Sequence, residues 1–132
     1  MSDRIFVDTN ILVYARDCGA GDRHAQANTI VDELWSKRSG RISVQVLSEY
    51  FVTVTRKLKP GMSEPDAWSD VCALQAWNPW PTDSRLLELG RTIQITHRLS
   101  WWDALIVAAA VRQDCSLLFS EDLAHGMQID RL

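Results

Sequence analysis

Arg4-Ile5-Phe6-Val7-Asp8-Thr9-Asn10 places an apolar, β-branched and aromatic run directly against three polar residues. Residues 4–7 read as a short buried strand that ends at Asp8. Asn10 is the expected N-cap of a short helix over residues 11–16. A strand that hands over to a helix, with no Asn-Gly type hairpin signal, predicts a crossover connection and hence a parallel sheet.

The rest of the chain repeats this alternation. Residues 17–22 are expected as a loop. Over residues 24–38, Ala27, Ile30, Val31, Leu34 and Trp35 recur at helical spacing, and Gly40 is the expected stop. Residues 41–43 predict a brief second strand. A helix over residues 44–57 carries Leu47, Tyr50, Phe51, Val54 and Leu58 on one face. Ser63-Glu64-Pro65-Asp66 is a capping box that opens a helix ending near Trp77. Residues 78–81 are extended or turn-like, because each proline biases its predecessor away from helix. Residues 83–97 form another amphipathic helix. A second capping box, Ser100-Trp101-Trp102-Asp103, opens the most apolar helix, over residues 104–112. Residues 116–119 and 127–129 predict the last strands. A helix without a polar face must be covered on most sides, so the expected fold is a three-layer α/β/α sandwich around a short, mainly parallel sheet, in one domain over residues 1–132.

Composition removes several classes. The 132 residues are 46% hydrophobic and 23% charged, ordinary values for a globular chain. No apolar run reaches the ~20 residues of a membrane helix, and the start does not read as a secretory signal. A cytoplasmic protein is expected, with no membrane association. Cys18, Cys72 and Cys115 are widely spaced and never in a C-x-x-C pair, which predicts buried or idle thiols rather than a disulfide framework or thiolate zinc site. The net charge of −3 (14 basic, 17 acidic side chains) argues against a simple basic nucleic-acid binder. Four carboxylates committed to a cation would leave 14 basic against 13 acidic groups, so a phosphate-bearing substrate stays compatible.

Ligands of parallel sheets sit beyond the carboxyl ends of the strands. Asp8 and Asp122 follow strands, and Asp103 opens a helix expected to pack on the same sheet. Converging carboxylates need protons, basic partners or a cation, and no lysine follows Lys59. A divalent metal is the simplest compensation, and oxygen ligands favour Mg²⁺ or Mn²⁺ over zinc. Each residue also has an ordinary reading. Asp8 suits a cap, Asp103 the third position of a capping box, and Asp122 a turn. Glu49, opposite the apolar stripe and beside Gln45 and Arg56, suits a solvated face.

Taken together, Phe6-Val7-Asp8-Thr9-Asn10, Val46-Leu47-Ser48-Glu49, Leu99-Ser100-Trp101-Trp102-Asp103-Ala104-Leu105 and Phe119-Ser120-Glu121-Asp122-Leu123 resemble the PIN-domain ribonucleases over nearly the whole chain. Within them the chain resembles the small VapC-like toxins of toxin–antitoxin pairs. The resemblance implies that Asp8, Glu49, Asp103 and Asp122 hold one or two Mg²⁺ or Mn²⁺ ions, with Asn10 and Ser120 supporting the pocket. It implies an endoribonuclease that hydrolyses RNA by metal-activated water, without a covalent enzyme intermediate. It also implies a small DNA-binding, VapB-like antitoxin as partner, and a homodimer. The alternatives are a housekeeping RNA-processing nuclease without antitoxin, and a PIN-like module that only binds. A receiver domain would need a late lysine, and an aspartyl-nucleophile phosphatase an Asp where Asn10 stands.

Among the six tryptophans, Trp35 and Trp68 are expected in core or interface, Trp77 and Trp80 at a subunit contact, and Trp101 or Trp102 beside the substrate groove. Lys37-Arg38 with Arg41, and Arg56-Lys57 with Lys59, read as solvated helix ends that could otherwise touch phosphate. His24, His97 and His125 lack metal or nucleophile spacing, although His125 follows Asp122 by three residues.

Overall fold

Strand β1 (Arg4–Val7) lies at the centre of the sheet in a computed structural model that describes residues 3–121 and 127–128. Its neighbours are β2 (Gly40–Arg41) and β3 (Cys115–Phe119), both parallel to it. The fourth strand, β4 (Met127–Gln128), joins β3 antiparallel, giving the order β2-β1-β3-β4. Ile5 faces Gly40 across one ladder, and Val7 faces Phe119 across the other. Successive strand residues point to opposite faces. Phe6 and Val7 are both 0% exposed, so both faces of β1 are covered.

Among the described residues six α-helices supply the cover: α1 (Thr9–Arg16), α2 (Asp22–Lys37), α3 (Val44–Val52), α4 (Glu64–Ala73), α5 (Ser84–His97) and α6 (Trp101–Arg112). Helix α1 packs on α2, and α5 packs on α6. The chain leaves β1 through α1 and α2 to reach β2 on one side. It then returns past β1 to β3 on the other. With strands added on both sides of β1, the right-handed rule for parallel crossovers assigns the two helix pairs to opposite faces, consistent with the α/β sandwich expected. Every residue of α6 from Ala104 to Ala110 is buried. None of the helices among the described residues is long and apolar enough to cross a membrane.

Several boundaries move. Helix α1 begins at Thr9 and its cap is Asp8, not Asn10. A 3₁₀ turn, Cys18–Ala20, occupies the expected loop, and α2 starts at Asp22. Its end is set by Arg38 in the left-handed conformation (φ 54°), not by Gly40, which belongs to β2. Helix α3 ends at Val52 and continues as a π-helical turn, Thr53–Lys57. Both serine N-caps form, with Ser63 and Ser100 each accepting the backbone N–H three residues on at 3.2 Å. The second opens α6 at Trp101. The expected last strand covers 127–128, and Ile129 lies outside the described residues.

Trp77, expected at a subunit contact, is 3% exposed and packed inside the chain against Trp35 at 5.3 Å between ring centroids. Trp68, expected in core or interface, is 59% exposed and touches Phe51 edge-on. Cys115 is buried, which pushes its thiol up to about 12, while Cys18 and Cys72 are exposed and free.

One polar network under α1 had no sequence signal. Asp70 of α4 accepts from Arg16 Nε at 2.8 Å and from the Tyr50 hydroxyl at 2.6 Å. Burial alone would raise the Asp70 carboxyl, but the Arg16 and Tyr50 hydrogen bonds outweigh it and hold the group below its usual range. A lowered folded-state value means that the contribution is full above about pH 4 and is lost as pH falls through that value. Asp70→Asn is therefore expected to cost about 1 kcal/mol at pH 7, with Arg16 half exposed. The gap from the parent should close in thermal melts as pH falls below about 4. A gap independent of pH would reject the linkage.

Candidate active site

The parallel ladder runs one residue past β1, with the Asp8 N–H donating to the Phe119 carbonyl at 2.9 Å. That step brings Asp8 beside Ser120, although 112 positions separate them in the chain. Asp8 is extended (φ −77°, ψ 163°), and its Oδ1 accepts the Thr9 N–H at 2.7 Å, which starts α1. Its Oδ2 accepts the Ser120 hydroxyl at 2.7 Å. Both residues are buried. They sit at the carboxyl ends of β1 and β3, where the strand order reverses and the sheet opens a crevice.

Glu49 reaches the same place from α3. The Thr9 hydroxyl donates to Glu49 Oε2 at 2.9 Å, and Gln45 Nε2 donates to Oε1 at 3.2 Å. Glu49 is exposed, as its place opposite the apolar stripe predicts, yet Thr9 ties it to the end of β1. Thr9 thus bridges the two carboxylates, its backbone to Asp8 and its hydroxyl to Glu49. Sequence reading quoted Thr9 within its motif but gave it no role.

Asp103 is the third residue of α6, where its backbone N–H is capped by Ser100. Neither Asp103 nor Glu49 has an ion-pair partner among the described residues. Asp122 and His125 lie outside the described residues. Among the described residues, no three His, Cys, Asp or Glu side chains form a group able to hold a metal ion. The structure joins Asp8, Glu49 and Ser120 through Thr9 and includes Asp103 in no such group.

Asn10 stands one residue inside α1. Its Oδ1 accepts the Glu121 N–H at 3.4 Å, while its Nδ2 is buried with no hydrogen-bond partner among the described residues. A buried amide donor costs free energy unless water or a ligand oxygen receives it. Glu121 is a further residue that sequence reading passed over. It accepts from the Tyr14 hydroxyl and pairs with Arg23 Nη2 at 2.9 Å. That hydrogen bond raises the Tyr14 phenol, and Arg23 lies 5.5 Å above the Tyr14 ring. His24 is occupied by the Tyr14 carbonyl and Asn28. In the first basic cluster, Lys37 pairs with Glu33, and Arg41 donates to the carbonyls of Arg38 and Gly40, so both serve the end of α2.

The donor chemistry fits a hard cation. Asp8 and Glu49 offer only carboxylate oxygens, and Thr9, Ser120 and Gln45 orient them through neutral donors. A carboxylate oxygen that accepts one hydrogen bond keeps a lone pair for a metal.

Comparison with known proteins agrees with this placement at the level of fold. The crystal structure of Mycobacterium tuberculosis VapC20, described as a sarcin-ricin loop cleaving toxin, superposes with a TM-score of 0.64. It is 21% identical, over 89% of this chain and 91% of that one. No curated protein sequence matches. The PIN domain model matches residues 5–125, from β1 past the acidic stretch that follows β3. A match of that extent, over a sheet that carries Asp8 and Ser120 at its reversal point, establishes that the chain belongs to the PIN-domain family.

Proposed function

We propose that the protein is a divalent-metal-dependent endoribonuclease and the toxin of a toxin–antitoxin pair. The observation that carries this reading is the Ser120–Asp8–Thr9–Glu49 chain of hydrogen bonds at the carboxyl ends of β1 and β3. Membership in the PIN family and likeness to a VapC toxin fold support it.

Asp8 and Glu49, with Asp103 and Asp122, are the residues proposed to hold one or two Mg²⁺ or Mn²⁺ ions. A bound ion of this kind supplies a nucleophile at neutral pH and relief of charge on the phosphoryl oxygens. The chain's own residues do the positioning. Ser120 and the Thr9 N–H fix the Asp8 carboxylate, and the Thr9 hydroxyl and Gln45 fix that of Glu49. The start of α6 favours an ionised Asp103 through the helix dipole. The reading includes hydrolysis without a covalent enzyme intermediate, a single domain over 1–132, a cytoplasmic location, a homodimer and a VapB-like DNA-binding antitoxin.

Incubation of the purified protein with single-stranded RNA tests the reading. Cleavage is expected with Mn²⁺ or Mg²⁺ and is expected to stop on chelation. Expression alone is expected to arrest growth, and co-expression of the adjacent reading frame to relieve it. Cleavage that survives chelation would remove the metal from the proposal, and growth unaffected by expression would remove the toxin.

A further inference from the structure

Glu49 has a second environment. Together with Val44, Gln45, Ser48, Thr82 and Trp102 it lines an open surface groove of about 510 Å³. Its walls are held firmly. Val44 donates its N–H to the Trp80 carbonyl at 2.9 Å, and Trp80 donates to the Ile42 carbonyl at 3.0 Å, which locks the segment before Thr82 against the start of α3. Trp102 stands on the capped first turn of α6.

Trp102 is 62% exposed, the most exposed of the large apolar side chains among the described residues. Trp68 is similarly exposed but packs its ring against Phe51. Trp102 has no ring partner among the described residues. An indole fixed on a rigid helix at the rim of a groove is a flat apolar face held ready for another flat group.

The chemistry of the groove narrows the occupant. Among the described residues it is lined by no lysine or arginine, a composition that does not favour a phosphate or an acidic peptide. Its polar groups are an amide, two hydroxyls and the Glu49 carboxylate, which match the donors and acceptors on a base edge. Glu49 also accepts from Thr9, whose backbone N–H is bonded to Asp8, so one carboxylate borders both the groove and the candidate active site. We infer that Trp102 is a substrate-binding residue on which an unpaired nucleobase of single-stranded RNA stacks, next to the nucleotide presented to Asp8 and Glu49. The inference rests on the ribonuclease reading and extends it by naming the base-binding groove.

The test separates binding from cleavage. Asp8→Asn protein in chelator is titrated into labelled single-stranded RNA, and fluorescence anisotropy reads the Kd. Adding Trp102→Ala is expected to weaken binding roughly tenfold or more, the scale of one base–aromatic stack. Trp102→Phe is expected to recover most of the loss, and Trp68→Ala to leave the Kd unchanged. An abasic nucleotide at one position of the RNA is expected to weaken the Trp102 protein but to add little once Trp102→Ala is present. Unchanged affinity in Trp102→Ala, or an abasic loss that persists fully in it, overturns the inference. So does a shift in oligomeric state with RNA binding intact, which would assign the face to a second copy. Absence of metal-dependent cleavage by the parent protein would sink the nuclease reading, whereas this titration reads stacking without any turnover.

Discussion

Asp8→Asn is expected to reduce RNA cleavage by at least about 10³-fold, more than the 10- to 100-fold typical of groups that only orient a ligand. The substitution keeps the shape of the side chain and changes two properties, its charge and one acceptor oxygen. The cap on α1 survives, because an amide oxygen accepts the Thr9 N–H as a carboxylate does and Asn is an equally good N-cap. With the amide oxygen kept on the Thr9 N–H, the Ser120 hydroxyl meets the amide N–H and accepts from it after rotating its own proton, so the contact is kept with its direction reversed. The melting temperature is therefore expected to stay within a few degrees of the parent, the shift set by about 1 kcal/mol or less. Calorimetric titration with Mn²⁺ on the same two proteins should show weakened metal binding in the variant. Full cleavage by a folded Asp8→Asn protein would be incompatible with Asp8 as a metal ligand. Loss of folding would instead mean that the buried carboxylate serves the scaffold.

The contrast between Asp8 and Glu49 shows what a sequence can expose. Asp8 was legible because a carboxylate directly after an apolar strand falls at the one place where parallel sheets open a crevice, and the strand itself is legible from four residues. Glu49 was not legible from pattern. It lies opposite the apolar stripe and is exposed, as a solvated glutamate would be, and only the fold brings Thr9 within 2.9 Å of it. Family resemblance singled it out where periodicity could not. Ser120 and the Asp70 network belong to the same class, since their partners lie 112 and 54 positions away and no local spacing encodes such a meeting. The serine N-caps at Ser63 and Ser100 lie at the other extreme. Their chemistry is complete within four residues, so the sequence alone located both helix starts. Where local cues compete, tertiary packing decides. Gly40 carries the usual signature of a helix end, yet Arg38 takes the left-handed cap in its place.

Gly40→Ala is expected to cost about 3 kcal/mol, near the top of the usual range for overpacking, and to lower the melting temperature by roughly 10 °C. A Cβ at this position would lie 2.6–2.8 Å from three atoms of the six-membered ring of Trp77. The indole cannot retreat easily, because it is 3% exposed and packs against Trp35. The backbone cannot retreat either, since Gly40 is paired with Ile5 in the ladder that positions β1. This contact explains why a glycine stands in a strand, where its lack of a side chain ordinarily weakens the structure by about 0.5–1 kcal/mol. A double-mutant cycle isolates the contact. Trp77→Leu removes the ring atoms that the new Cβ would strike, at a cost of its own of about 3 kcal/mol for the vacated volume. In that background Gly40→Ala is expected to be neutral or slightly stabilising, because the clash is gone and the restriction of the unfolded chain remains. The coupling energy is then about 3 kcal/mol, the upper end for side chains in direct contact. Additive costs in denaturant melts would show that the Trp77 ring is not what excludes a side chain at Gly40. Strong coupling ties β2 to the turn at Trp77 through a single aromatic ring.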